Sequence, residues 1–181
     1  MGEEVLELKT RRKVFDCIAK NPGLHKLELQ RKLDITYSNL DYHIRILIKR
    51  NLINSQTEGG YTRYYAMGEI GTKDKKILGM LRQKITRKII LFLLLNPKSS
   101  HGEIKNHLEV AASTTTFHLK KLMELEVITF KKYGKEKLFY VIDEEAVSDL
   151  LISFRRGFFD KAVDKFVVTW MDKNRKHLKK K

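Results

Sequence analysis

The sequence predicts a mainly α-helical chain with small β hairpins: one unit of three helices and a hairpin used twice, then a long C-terminal helix. Three observations predict it. Residues 12–66 and 87–141 align without a gap at an offset of 75, with 12 of 55 positions identical and most others alike in polarity. In each copy an apolar helical pattern ends at Asn-Pro, Asn21-Pro22 and Asn96-Pro97, because proline cannot continue a helix and restricts the residue before it. Each copy then closes with two β-like runs joined at glycine, LINSQTEGGYTRYYA and VITFKKYGKEKLFYV. Two copies are too few for a solenoid and read as tandem domains.

The first helix of each copy is expected at about 11–20 and 77–95. In the second copy Ile77, Leu78, Leu81 and Ile85 carry it back into the charged segment EIGTKDKKILGMLRQKIT, which would make the two domains a fairly rigid pair. A short second helix follows at about 26–33 and 101–108, where Ser100 and Glu103 have capping-box spacing. A third helix, at about 37–50 and 112–126, begins close behind it near Ser/Thr caps. Its inward stripe in the first copy is Leu40, Ile44, Leu47 and Ile48. Tyr42 stands opposite that stripe, where solvent belongs, and His43 lies at the boundary between the faces. Phe117 and His118 repeat the pair in the second copy, and both histidines are expected to tie the third helix to a neighbour or a phosphate. Three helices and a hairpin, with a tight turn between the second and third, make a winged helix-turn-helix.

The chain therefore divides into a first such domain (1–68), a helical linker (69–84), a second domain (85–142), a C-terminal helix (143–172) and a basic tail (173–181). The C-terminal helix is expected to break near Gly157. Val147, Leu151, Phe154, Phe158, Ala162, Phe166 and Trp170 give it a stripe too large to leave in water. The stripe must pack on the domains or on a second chain.

Bulk properties narrow the partners. Hydrophobic residues make up 42% of the 181, enough for packed cores, and 37 Lys+Arg against 22 Asp+Glu give a net charge of +15. Such a surplus predicts an anionic partner, nucleic acid before a membrane surface. Cys17 is the one cysteine, so no intrachain disulfide forms, and it reads as a small buried apolar residue. The start of the chain lacks a secretory pattern and IILFLLL at 89–95 is too short to span a bilayer, so a soluble protein acting in the cytoplasm, at the nucleoid, is expected.

SNLDYHIRIL at 38–47 and STTTFHLKKL at 113–122 both follow S-x-x-x-[YF]-H-[IL]-[RK]-x-L and precede a glycine hairpin. The motif resembles the third helix of ArsR/MarR-type winged-helix transcription regulators, and its second instance is similar to archaeal ArsR-like members in particular. The resemblance covers about 10–66 and 85–141. It implies double-stranded DNA as partner, with each third helix in the major groove and each hairpin wing along the backbone or minor groove. It also implies homodimerisation through the terminal helix, by Leu151, Phe154, Phe158, Phe166 and Trp170.

The residues support a DNA reading independently. In the first copy Ser38, Asn39, Tyr42, Arg45 and Lys49 point outward; Asn pairs bidentately with adenine and Arg with guanine. Asp41 on the flank accepts from a cytosine amine or pairs with Arg45 one turn on. The second copy presents Ser113, Thr114, Thr116, Phe117, Lys120 and Lys121, richer in methyl groups and poorer in hydrogen-bond information. The first helix is therefore expected to read bases more sharply. Lys131, Lys132, Lys135 and Lys137 make the second wing a phosphate clamp, with Arg63 as the best equivalent in the first. The basic tail adds mobile cations.

The alternatives are a protein-interaction winged helix of the transcription apparatus, gripping through the outward aromatics, and an RNA binder. Nothing points to an enzyme, a cofactor or a metal: the metal-sensing cysteine pairs of the family are missing, and His101 and His107 do not share a helix face. Phosphate-loop, nucleophile-elbow and HExxH motifs are likewise missing.

Overall fold

The computed structural model describes residues 8–58, 60–68, 70–158 and 160–178, and divides after Gly79 into two compact units. The first holds α1 (Lys9–Lys20), β1 (Leu24–His25), α2 (Lys26–Leu33), α3 (Tyr37–Lys49), β2 (Ile53–Glu58), β3 (Tyr61–Ala66) and most of α4 (Thr72–Arg82). The second holds the end of α4, then α5 (Lys84–Leu95), β4 (Ser99–Ser100), α6 (His101–Leu108), α7 (Ala112–Glu124), β5 (Ile128–Tyr133), β6 (Glu136–Val141), α8 (Glu144–Ser153), α9 (Arg155–Phe158) and α10 (Lys161–Leu178). Each unit carries the three helices and the hairpin of a winged helix-turn-helix.

The repeated sequence closes its helices by the same chemistry twice. The asparagine of each Asn-Pro turns its backbone N–H and its side-chain amide onto a carbonyl of the helix it ends. Asn21 bonds Cys17 O at 3.1 and 2.8 Å, and Asn96 bonds Phe92 O at 2.8 and 3.0 Å. The tight turn before α3 and α7 is made by a single left-handed residue, Asp34 (φ 51°) or Glu109 (φ 55°), whose N–H caps Gln30 O or Lys105 O. The ends of α3 and α7 match as well. Asn51 and Glu126 turn left-handed, and the N–H groups of Leu52 and Val127 reach back to Leu47 O and Leu122 O, at 2.9 and 3.0 Å. Ser100 and Glu103 form the expected capping box on α6, with the Ser100 N–H donating to the Glu103 carboxylate at 2.7 Å.

Behind these turns lies one core per unit. In the first, Val14 and Ile18 of α1, Leu29 of α2, Leu40, Ile44 and Leu47 of α3, and Leu24, Ile53 and Tyr64 of the sheet pack together. The sheet runs β1-β3-β2, all antiparallel, with Ile53 opposite Ala66. In the second, α5 packs on α6, α7 and β6, and its Ile89, Ile90, Leu93 and Leu94 are fully buried.

The second copy's first helix is not continuous over 77–95: Gln83 takes an extended conformation between α4 and α5, although no glycine or proline marks the place. The two-residue strands Leu24–His25 and Ser99–Ser100 add a third strand to each hairpin. Ile48 is 37% exposed and lies off the inward stripe. The terminal helix, expected to break once near Gly157, is three segments, broken at Phe154 and again after Phe158, and the last runs to Leu178 beyond the expected bound of 172. The side chains of the basic tail, 173–181, lie outside the described residues.

The stripe expected to dimerise is largely covered within the second unit. Leu151, Phe158 and Phe166 are buried within the second unit and Phe154 and Trp170 are half-buried, because α10 lies on α5 and α8. An ion pair fixes this packing. Arg87 of α5 donates from Nε and Nη2 to Asp160 at 2.8 and 2.7 Å, and from Nη1 to Leu81 O at 2.7 Å. Asp160 in turn accepts from the Ala162 N–H at 2.9 Å at the start of α10. Burial pushes the Asp160 carboxyl up, but the Ala162 hydrogen bond and the Arg87 guanidinium outweigh it and hold the group below its ordinary range. The surface assigned to a second chain is thus used by the chain itself.

Candidate nucleic-acid interface

With one face of α3 spent on the core, its other face is open. Tyr42 is 57% exposed, and Ser38, Asn39, Arg45 and Lys49 are exposed around it. Thr36 caps the helix, accepting from the Asn39 N–H at 3.4 Å, so Asn39 sits in the first turn with its side chain uncommitted to that cap. Asp41 is engaged already. It accepts from Arg45 Nε at 2.7 Å and from Lys26 of α2, and the Lys26 hydrogen bond is the main reason its carboxyl is held below the ordinary range. Arg45 remains 80% exposed at its side chain, so the contact orients its guanidinium without burying it.

The second unit repeats the arrangement with different chemistry. Phe117 is 63% exposed, the largest apolar side chain on α7's open face, beside exposed Ser113, Thr116 and Lys120. Thr114 is half-buried, and Lys121 is drawn aside, half-buried and donating to Gln83 Oε1 at 3.3 Å. Lys120 lies 3.9 Å from Glu124, one turn on. The wing lysines Lys131, Lys132, Lys135 and Lys137 are all exposed, with Lys137 held over the Phe130 ring at 4.4 Å.

Arg63 is displaced from its expected place. It is 4% exposed, and its Nη1 donates to Gly23 O at 2.7 Å across the β1–β3 pair. Because β3 is the central strand, Arg63, Tyr64, Tyr65 and Ala66 are buried in succession and the usual in-out alternation fails. The first wing's described residues therefore present Tyr61 and Thr62, not Arg63, with Tyr61 stacked on His25 at 5.4 Å.

Each exposed aromatic leans edge-on against the following histidine, Tyr42 on His43 at 5.3 Å and Phe117 on His118 at 5.2 Å. His43 is buried rather than at the boundary, and Nδ1 of both rings lacks a hydrogen-bond partner among the described residues. Burial lowers both pKa values from the ordinary histidine value, helped by Arg11 at His43 and Lys121 at His118. Buried His43 and half-buried His118 back the aromatics, and neither is tied through Nδ1 among the described residues. Sequence spacing could not distinguish these roles. Cys17 is half-buried, and His107 stacks on Phe92 at 4.3 Å. Among the described residues no cluster of His, Cys, Asp and Glu could hold a metal ion, and no helix is long and apolar enough to cross a membrane.

Residues 8–78 match a family model described as an N-terminal HTH domain, and residues 85–129 match the bacterial regulatory protein, arsR family. An uncharacterised HTH-type transcriptional regulator of Methanocaldococcus jannaschii is 33% identical over 139 residues, covering 77% of this chain. The chain spans 35% of that relative's length. Among solved structures, the endosomal complex ESCRT-II (VPS22/VPS25/VPS36) aligns with 77% of this chain and 64% of its own at 17% identity. Its TM-score is 0.31.

Proposed function

The chain belongs to the winged-helix regulators of the ArsR type, and on that premise we propose that it is a transcription regulator that binds double-stranded DNA in a sequence-specific manner. α3 and α7 enter the major groove, and the wing lysines of β5 and β6 lie on the backbone. One observation carries the reading. The same helix position in both units holds an exposed aromatic, Tyr42 or Phe117, among polar side chains on a helix whose opposite face is fully buried. A solvated face has no use for a repeated large ring, whereas thymine methyls and sugar edges do.

The division of labour follows the chemistry. Asn39, Tyr42 and Arg45 contact bases, and Ser38 and Lys49 contact the flanking backbone. α7 contributes apolar contacts through Thr116 and Phe117, with Ser113, Thr114, Lys120 and Lys121 nearer phosphates. Lys131, Lys132, Lys135 and Lys137 supply affinity without sequence information. Asp41 serves as the brace that aims Arg45. The protein acts in the cytoplasm, where its operator is, without cofactor or metal. Within the two units, the winged helix-turn-helix domains are assigned as 1–68 and 85–142 with 69–84 between them, and 143–172 completes the second unit rather than joining two chains.

Titration against duplexes of selected and random sequence tests this reading. Asn39→Ala and Arg45→Ala are expected to lose selectivity by about 1–3 kcal/mol per base contact while keeping random-sequence affinity. Lys132→Ala and Lys135→Ala should weaken all duplexes alike. Equal losses on both kinds of DNA in all four variants would overturn the assignment.

A further inference from the structure

The second unit contains a cavity of about 550 Å³ between the start of α6, the face of α7 and the β5–β6 wing. Its floor is apolar: Leu119 and Phe139 are buried and Met123 is half-buried. Its rim is cationic, with Lys120, Lys135 and Lys137 against the single carboxylate Glu136, and His101 bonded to Thr116 at 3.0 Å on one side. The size lies within the range of small-molecule pockets, and an apolar floor under a few convergent charges is their usual composition.

The internal repeat places different chemistry at the positions that line this opening. At the corresponding positions of the first unit the side chains interlock. Lys26 stands where His101 stands, bonds Asp41 in place of Thr116, and lies over the Tyr37 ring at 4.8 Å. Tyr61, in place of Glu136, stacks on His25. Leu27 occupies the position of Gly102. In the second unit the same places carry smaller or uncharged groups (Gly102, Ala112, Thr116), and the groove stays open.

We infer that this groove binds a small organic anion, one carboxylate or phosphate on an apolar body, and that its occupancy competes with duplex DNA. The body rests on Leu119, Met123 and Phe139, and the anionic group meets the wing lysines. A ligand there covers Thr116 and Lys120 of α7 and holds Lys135 and Lys137 of the wing, all surfaces assigned above to DNA. The competition rests on that DNA assignment; the binding does not.

Octanoate is a suitable probe for the full chain, with acetate as the anion lacking a body and octanol as the body lacking an anion. Methionine-methyl NMR reads the site, since Met123 lines it and exposed Met67 and Met171 do not. Octanoate is expected to shift the Met123 methyl saturably at one per chain, with acetate and octanol about tenfold or more weaker. Gly102→Leu should block the site without harming the fold. A Cβ there meets only the Ser100 hydroxyl at 3.9 Å, and the first unit already carries leucine at that position. Lys135→Ala should weaken octanoate but leave octanol unchanged. No saturable shift, equal binding of acetate, or full octanoate affinity in Gly102→Leu would overturn the site. Octanoate should then lower duplex affinity in the native chain and not in Gly102→Leu. Unchanged duplex affinity at saturating octanoate would overturn the competition, and a chain that binds octanoate but no duplex would overturn the DNA assignment instead.

Discussion

Tyr42 and Leu40 lie two residues apart on α3 and have opposite roles. Leu40 is fully buried in the first unit's core, so Leu40→Ala should cost about 2–5 kcal/mol in chemical denaturation. Tyr42→Ala should change stability by less than about 0.5 kcal/mol, because exposed side chains away from caps and ion pairs contribute little. Its cost should appear in DNA binding. A Tyr42→Ala chain that keeps duplex affinity but loses a co-purifying protein would favour the rival reading of this face as a protein-docking surface. The sequence made this contrast legible through the 3.6-residue period, which separates Leu40, Ile44 and Leu47 from Tyr42. It could not reveal that Asp41 is tied to Lys26 fifteen residues earlier, because that pairing depends on the turn between α2 and α3. Arg63 escaped for a related reason. Its burial follows from the two-residue strand β1, too short to carry a pattern, which makes β3 central.

At the level of elements, repeated turns reveal where the backbone is strained. Gly23 follows the first Asn-Pro at φ 81°, and Lys98 occupies the same place in the second copy at φ 65°. A left-handed lysine bears a steric cost that glycine escapes, so Lys98→Gly should stabilise by up to about 1 kcal/mol in a thermal or urea melt, less glycine's added unfolded-state entropy. The terminal helices give a second case. Asp160→Ala removes the partner of Arg87 and the cap of α10, and should cost about 2–3 kcal/mol, with α10 exchanging its amide hydrogens faster. The expected stripe of large apolar residues was legible in the sequence; what covered it was not. Periodicity shows that a face is buried, and the packing of α10 on α5 and α8, pinned by Arg87 to Asp160 at the start of α10, shows that this chain covers its own.

The whole molecule should respond to acid in a definite direction. His43, His118 and Asp160 all have native pKa values depressed below their ordinary ones. Each therefore binds protons more readily when unfolded, and each contributes stability that is present above its unfolded pKa and lost as pH falls through the native one. Stability should decline first below the ordinary histidine value of 6.5 and further below the ordinary aspartate value of 3.8. A melt series in which His43→Gln and His118→Gln flatten the upper part of that decline checks the assignment. Charge sets the other global property. If the four wing lysines each meet a phosphate, log affinity should fall with log salt at a slope of about −3.6 or steeper. The net charge of +15 was plain in the sequence, but its focus was not, since Arg63, Arg87 and Lys121 are diverted into structural contacts.

Selection of bound sequences from random duplex DNA separates base reading from phosphate attraction. The native chain is expected to enrich a defined motif, with purine preferences at the positions facing Asn39 and Arg45 that disappear in Asn39→Ala and Arg45→Ala. Retention of DNA without any enriched motif, or an identical motif from both variants, would contradict base reading.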